Sequence, residues 1–280
     1  MYENIHGLSC IENHVLAILR LRGEPIEYAF NDCAIPLSEL YARLVTDGVK
    51  QEYFNAVPRV QDVLKEMGVL SLELNTEEAQ GKVKQTIRGC KENEYVLMLT
   101  DPEYAYSAMH IRGFRNDHYA WVRKDGKEYV VNNDIPENEY RLDSKMLTRF
   151  YGGKFFKMKV LKPIDDQVIS RLWDNRNYTP RESGPAASLM EDFERTADMA
   201  GRLRDMAGVC KIMRYRMAEY YGHYADTGFI REAMPEYERI HSTLEYYRLK
   251  PKTAYEKIDA LMAELFEMDN RIMAALIEKR

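Results

Sequence analysis

Cys10 stands in Ser9-Cys10-Ile11-Glu12, and a Ser followed three residues later by Glu is the signature of a capping box at a helix start. Ile11, Val15, Ile18 and Leu19 continue at helical spacing and Gly23 supplies the stop. A thiol at the first turn meets unpaired N–H groups and the positive end of the helix dipole, which favour a thiolate and hence a nucleophile. The negative charge of Glu12 acts in the opposite direction, and the sequence leaves the net sign open. Taken alone, Cys10 also reads as a small buried hydrophobe.

A base for such a nucleophile lies downstream. His118 opens the run His118-Tyr119-Ala120-Trp121-Val122-Arg123, and Glu128-Tyr129-Val130-Val131-Asn132-Asn133-Asp134 follows after a turn containing Asp125-Gly126. Two β-branched and aromatic runs flanking Asp-Gly predict a β-hairpin. The start of one strand then neighbours the end of the other, which brings His118 towards Asp134. Strand alternation places Asn132 and Asp134 on one face and Asn133 on the other. Asp134 is therefore the expected orienter of His118 and Asn132 the reserve, and a bulge would reverse that parity.

Thiol, imidazole and carboxylate in this order form a nucleophile, base and orienter set, in which the ring takes the thiol proton and the carboxylate fixes the tautomer. The order resembles the papain-like superfamily. More closely, Cys10-Ile11-Glu12-Asn13-His14 through Leu19, Gly23 and Pro25, with His118-Tyr119-Ala120-Trp121-Val122 and Asn133-Asp134-Ile135-Pro136, resembles the N-terminal domain of the butirosin biosynthesis protein H family, over about the first 160 residues. That resemblance implies a papain-like protein of nonribosomal peptide and polyketide pathways, as in antibiotic biosynthesis. It further implies an acyltransferase that moves an acyl group from a carrier-protein thioester to an amine. The implied partners are an acyl or peptidyl carrier protein and a small-molecule amine. No cofactor is implied on this chain itself, because the phosphopantetheine belongs to the carrier.

Papain-like enzymes usually carry a glutamine six residues before the cysteine, whose side-chain amide joins the cysteine N–H in an oxyanion hole. Asn4 holds that position here and offers the same donor on a shorter arm; it reads equally as a polar residue of a frayed terminus. His6, between Asn4 and Cys10, is placed to approach a leaving group instead. Cys10 and His14, four apart on one helix face, with His110 and His118, have the residue types of a metal site. The tight second ligand pair of structural zinc sites is missing, so no metal is expected. His14 is also the weaker candidate base, since no third residue aligns it within one helical turn. Cys33, Cys90 and Cys210 have no matching partners and read as reduced core or surface thiols.

The chain has 280 residues, 40 basic and 45 acidic side chains and a net charge of −5. That balance argues against general nucleic-acid binding, which needs a basic face. Four cysteines without close pairing point to a reducing compartment. The start Met1-Tyr2-Glu3-Asn4 lacks a signal-peptide pattern, and no run approaches about 18 apolar residues. A cytoplasmic protein without membrane association is expected. No phosphate-binding glycine loop, dinucleotide fingerprint or zinc-protease motif occurs.

The elements that must position the site read as α+β. Helical segments are predicted at Leu37 to Val45, Val57 to Met67 and Glu77 to Cys90, with strands at Val69 to Leu74 and Tyr95 to Leu99. A loop from Thr100 to Asp117, with Tyr104 and Tyr106, leads into the hairpin. A short helix at Ser144 to Phe150, a turn at Gly152-Gly153 and a strand at Phe155 to Leu161 complete an antiparallel papain-like domain, 1–163. From Ile164 only helical patterns follow: a linker or break over Asn175 to Pro185, then a helix over Ala186 to Tyr224 with Leu189, Phe193, Ala200, Leu203, Cys210, Met213, Met217 and Tyr220 inward. A second stripe runs through Ala233, Tyr237, Ile240, Leu244 and Tyr247. A third helix opens at Pro251 and carries Ile258, Met262, Leu265, Ile272 and Leu276. These make a C-terminal antiparallel helical bundle, 164–280. Tyr220, Tyr221, Tyr246, Tyr247 and Phe266 exceed what a three-helix seam needs, and the surplus admits burial on the catalytic domain, on a ligand or in a homodimer through the helical domain.

Three functional readings follow: acyl transfer through acyl-Cys10, a cysteine peptidase or amidase using the same groups with water, and a non-catalytic helical interaction protein. Acyl transfer leads because of the family resemblance.

Overall fold

A computed structural model describes residues 7–30, 33–49, 59–76, 80–110, 117–134, 137–174, 180–185, 197–250 and 255–278. In chain order it forms helix α1 (Cys10–Leu21), a 3-10 turn (Ile26–Phe30), α2 (Leu37–Tyr41) continued by a π turn (Ala42–Thr46), α3 (Val60–Glu66), strand β1 (Leu70–Asn75), α4 (Gln80–Gly89), β2 (Glu94–Thr100), α5 (Pro102–Met109), β3 (Tyr119–Asp125), β4 (Glu128–Asn133), β5 (Asn138–Leu142), α6 (Ser144–Phe150) and β6 (Tyr151–Val160). The remainder is helical: α7 (Asp166–Asp174), α8 (Ala197–Tyr221), α9 (Gly228–Glu232), α10 (Met234–Leu249) and α11 (Tyr255–Glu278). The architecture is α+β, with one six-stranded sheet in the order β1-β6-β2-β3-β4-β5 and every pairing antiparallel.

The chain divides into two compact units, one built from Leu8–Ile26 and Val60–Arg171, the other from Glu27–Arg59 and Leu172–Arg280. This differs from a boundary at 163/164, because residues 27–59 group with the later helices. The tie is visible inside the second unit: the fully buried Arg214 donates to the carbonyl of Ile35 at 2.8 Å and pairs with Asp269 at 2.7 and 2.9 Å. A guanidinium without water must find acceptors wherever the chain can supply them. Nothing in local sequence patterning marks that tie.

In the first unit, one face of the sheet contributes Val96, Met98, Ala120, Val122, Tyr129 and Val131 to a core shared with Val83 and Ile87 of α4, Tyr104 of α5 and Leu147 and Phe150 of α6. The hairpin closes through Gly126 at φ 54° between the paired Asp125 and Glu128. His110 is the only non-glycine described residue with positive φ, so Lys127 keeps a negative one, and the turn has the glycine-first pattern of type II′. The segment expected as loop from Thr100 contains a helix instead. Asp101 caps α5, accepting from the Glu103 N–H at 2.8 Å, with Pro102 at the first position. Tyr104 is buried against Phe150 and Tyr140, and Tyr106 is exposed. Gly152-Gly153 is not a separate turn but the start of β6, where β2 carries a register shift between Met98 and Thr100. A Cβ on Gly152 would stand 2.8 Å from Leu99 Cγ, so only glycine permits this approach. Strand β5 was not anticipated from sequence; its sparse apolar content, Asn138-Glu139-Tyr140-Arg141-Leu142, suits an edge strand.

In the second unit Ala200, Leu203, Cys210, Met213, Met217 and Tyr220 of α8 are buried, as are Tyr237, Ile240 and Leu244 of α10 and Ile258, Met262, Leu265, Ile272 and Leu276 of α11. Of the surplus aromatics, Tyr220, Tyr221 and Phe266 are buried, whereas Tyr246 remains half exposed. Leu189, Phe193 and Pro251 lie outside the described residues. Among the described residues no helix is long and apolar enough to cross a membrane.

Candidate active site

The start of α1 is built as its sequence specifies. Ser9 Oγ accepts from the Glu12 N–H at 3.3 Å, and the Glu12 carboxylate accepts from the Ser9 N–H at 2.9 Å and from the Val60 N–H at 3.1 Å. Glu12 thus does two jobs: it caps α1 and ties it to α3. Cys10 occupies the first helical position.

His118 is anchored through its own backbone. The His118 carbonyl accepts from both the N–H and the hydroxyl of Thr100, at 2.8 and 3.0 Å. One residue on, the Tyr119 N–H donates to Cys10 Sγ at 3.4 Å, and the Tyr119 carbonyl faces His14 Nε2 at 3.0 Å. Cys10 and the backbone beside His118 are therefore in direct contact.

The His118 ring contacts Asn133. Its Nε2 lies 2.6 Å from Asn133 Oδ1, whereas Asp134 Oδ1 is 3.9 Å away. An amide oxygen only accepts, so Nε2 carries the proton and the lone pair of the neutral ring sits on Nδ1. Asn133, rather than Asn132, lies on the His118 side of the hairpin, and Asp134 does not follow the strand alternation that groups it with Asn132. Trp121 pairs with Asn132, and continuing that register sets Asn133 across from Ala120, on the face that alternation also gives His118. Asn132 lies on the opposite face. Counting the hairpin register outward from the Gly126 turn would have found Asn133.

Asp134 is the first residue beyond β4 and has left strand alternation. Its Oδ2 accepts from Asn13 Nδ2 at 2.9 Å, a second tie between α1 and the hairpin, and its buried Oδ1 has no hydrogen-bond partner among the described residues. Asn13, His14, His118, Asn133 and Asp134 are all buried, so this is a polar cluster within the fold, and Cys10 is its partly exposed member. Asn4 and His6 lie outside the described residues.

Burial decides the electrostatics that the sequence left open. The Cys10 thiol is pushed up to about 11, first by desolvation and further by the Asp134 charge; the Tyr119 N–H and the backbone N–H groups at the helix start only partly offset this. At neutral pH the Cys10 thiol is therefore protonated. His14 is pushed down to about 4 by burial. His14 is thus a neutral imidazole whose Nε2–H is committed to the Tyr119 carbonyl.

Cys33, Cys90 and Cys210 form no disulfide, and Cys33 and Cys210 are fully buried. Burial raises Cys90 and Cys210 as well. His110 is exposed at the end of α5, and no group of three or more Cys, His, Asp or Glu among the described residues is arranged to hold a metal ion. A cleft of about 400 Å³ lined by Ile18, Leu21, Arg22, Glu92, Tyr95 and Trp121 gathers at the far end of α1. With about 1.5 Å of rise per residue, Arg22 lies too far along the helix for this cleft to be the reaction centre. No protein-family profile matches the chain, and no curated protein matches it.

Proposed function

We propose that the chain is a cysteine-dependent acyltransferase in which Cys10 is the nucleophile, His118 the base and Asn133 the orienter, with Asp134 as a nearby charge that stabilises the imidazolium. The observation that carries this reading is the contiguous chain from Cys10 Sγ through the Tyr119 N–H to a His118 ring held at 2.6 Å by Asn133. Proton transfer from the thiol to His118 Nδ1 and attack of sulfur on a thioester carbonyl would give acyl-Cys10 as the donor's C–S bond breaks and its thiol leaves with the proton returned by His118. An amine then attacks the acyl-Cys10 carbonyl, the bond to Cys10 Sγ breaks, and the amine proton passes through His118 to the sulfur to restore the thiol, leaving the amide.

The raised thiol bears on the acyl donor. Amide cleavage by papain-like peptidases draws on a strongly activated thiolate, whereas exchange between a thioester and a thiol is nearly thermoneutral and needs less activation. A neutral Cys10 suits an activated donor, and we take this to be a thioester on the phosphopantetheine arm of an acyl or peptidyl carrier protein. The family resemblance supports the amine acceptor and a place in cytoplasmic, antibiotic-type biosynthesis. A second reading, cysteine peptidase or amidase, is favoured by one observation: a carboxamide orienter is the arrangement of papain-like proteases.

The two readings separate by experiment. The protein is incubated with a panel of acyl carrier thioesters, with and without amines, and followed by intact-mass spectrometry. Acyl-protein that passes its acyl group to an amine supports transfer, acyl-protein that only hydrolyses supports the second reading, and absence of any adduct across the panel contradicts both.

A further inference from the structure

Both backbone polar groups of one β3 residue, Tyr119, which belong to the two successive peptide units that flank its Cα, are held by side chains one helical turn apart on α1. The Tyr119 N–H donates to Cys10 Sγ at 3.4 Å and the Tyr119 carbonyl accepts from His14 at 3.0 Å. Because a carbonyl only accepts, His14 must present Nε2–H, and the ring is wholly buried. Tyr119 directly follows the proposed base, so whatever fixes its backbone also fixes the distance between His118 and the thiol.

We propose that His14 is a positioning residue of this site, clamping the Tyr119 backbone so that His118 and Cys10 keep a reactive separation. The inference rests on the reading of Cys10 and His118 as nucleophile and base. The charged and titratable groups facing the pair are Asp134, His118 and the Tyr119 phenol, while Glu12 is bound within the capping box. A displacement of about 1 Å in such an arrangement costs up to roughly a hundredfold in rate. The depressed affinity of His14 for protons keeps the clamp in its neutral, donating form at neutral pH.

The test compares His14→Gln, which keeps an N–H donor at nearly the same reach, with His14→Met, which keeps volume and removes the donor. His14→Asn, whose amide falls short of the carbonyl, replaces the Met variant if that one does not fold. Two rates are read per folded molecule: acylation of Cys10 by a small N-acetylcysteamine thioester in a single turnover, and alkylation of Cys10 by iodoacetamide at pH 8.5. The clamp predicts acylation within about threefold of wild type for Gln and at least tenfold slower for Met, with alkylation also slowed in Met because the thiolate loses the Tyr119 donor. Equal rates in Gln and Met, or faster alkylation in Met through simple loosening of the packing, would overturn it. If wild-type Cys10 is not acylated at all, the proposed function fails, and the alkylation rates still decide the clamp.

Discussion

Replacing Asn133 by alanine removes the acceptor that holds the His118 ring while leaving nucleophile and base in place. The 2.6 Å contact is short and buried, and it strengthens when the ring becomes an imidazolium. A hydrogen bond to a charged group contributes about 1.5–3 kcal/mol, which corresponds to roughly 10- to 100-fold in the rate of acyl-Cys10 formation. Asp134 Oδ1, already 3.9 Å from Nε2 and without a hydrogen bond among the described residues, is close enough to replace part of that hold. The loss for Asn133→Ala should therefore fall near the lower end, about tenfold, against on the order of 10² or more for His118→Ala. The assay is single-turnover acylation by a thioester, read by intact mass and normalised to folded protein by circular dichroism. A further fall of comparable size when Asp134→Asn is added to Asn133→Ala would measure the substitution between the two acceptors. Asn133→Ala acylating within twofold of wild type, with Asp134→Asn alone strongly impaired, would refute the assignment and return the orienting role to Asp134.

Asp134→Asn on its own should speed iodoacetamide labelling of Cys10 at pH 8.5 by severalfold, since the carboxylate raises the thiol and its removal increases the thiolate fraction; slower labelling contradicts this. Because Cys10 titrates near 9.0 when unfolded and about 11 when folded, its contribution to stability is intact below pH 9 and lost as pH rises towards 11. At about 1.4 kcal/mol per tenfold this amounts to roughly 3 kcal/mol, so Cys10→Ala should flatten the alkaline fall in denaturant midpoint by a comparable amount. His14 runs the other way: titrating near 6.5 unfolded and about 4 folded, it loses stability as pH falls through that window, and His14→Gln should unfold at lower pH than wild type. Arg214→Ala strands the fully buried Asp269 and removes the bond to the Ile35 carbonyl, and should cost about 3–5 kcal/mol in urea unfolding; less than about 1 kcal/mol would contradict a structural role for this buried pair.

Local signals carried much of the site. The capping box around Cys10, the hairpin with His118 at its entrance, strands β1, β2 and β6 and the short helix α6 were legible because each rests on neighbouring residues, whereas the edge strand β5 was not. Asn133 was within reach of the same hairpin register and was missed by choosing a face before counting from the turn. Helix α5 was missed although Asp101-Pro102 is a helix start signal, because tyrosines and a downstream glycine suggested a loop. Three features lay beyond local patterning. The neutral state of Cys10 depends on how much protein covers it, and desolvation outweighs the helix start. The ties of Asn13 and His14 to the hairpin join residues more than 100 positions apart. The grouping of residues 27–59 with the later helices includes a bond from the buried Arg214 to the Ile35 carbonyl, residues 179 positions apart, which no local pattern marks.

The most direct measurement is the site of the acyl group. Wild-type protein is mixed with a carrier-protein thioester, quenched in acid and digested, and the peptides are mapped by mass spectrometry. The account predicts the acyl mass on the peptide containing Cys10, absent from Cys10→Ala and formed at least a hundredfold more slowly in His118→Ala. An acyl group on Cys33, Cys90 or Cys210, or one that persists in Cys10→Ala, would contradict it.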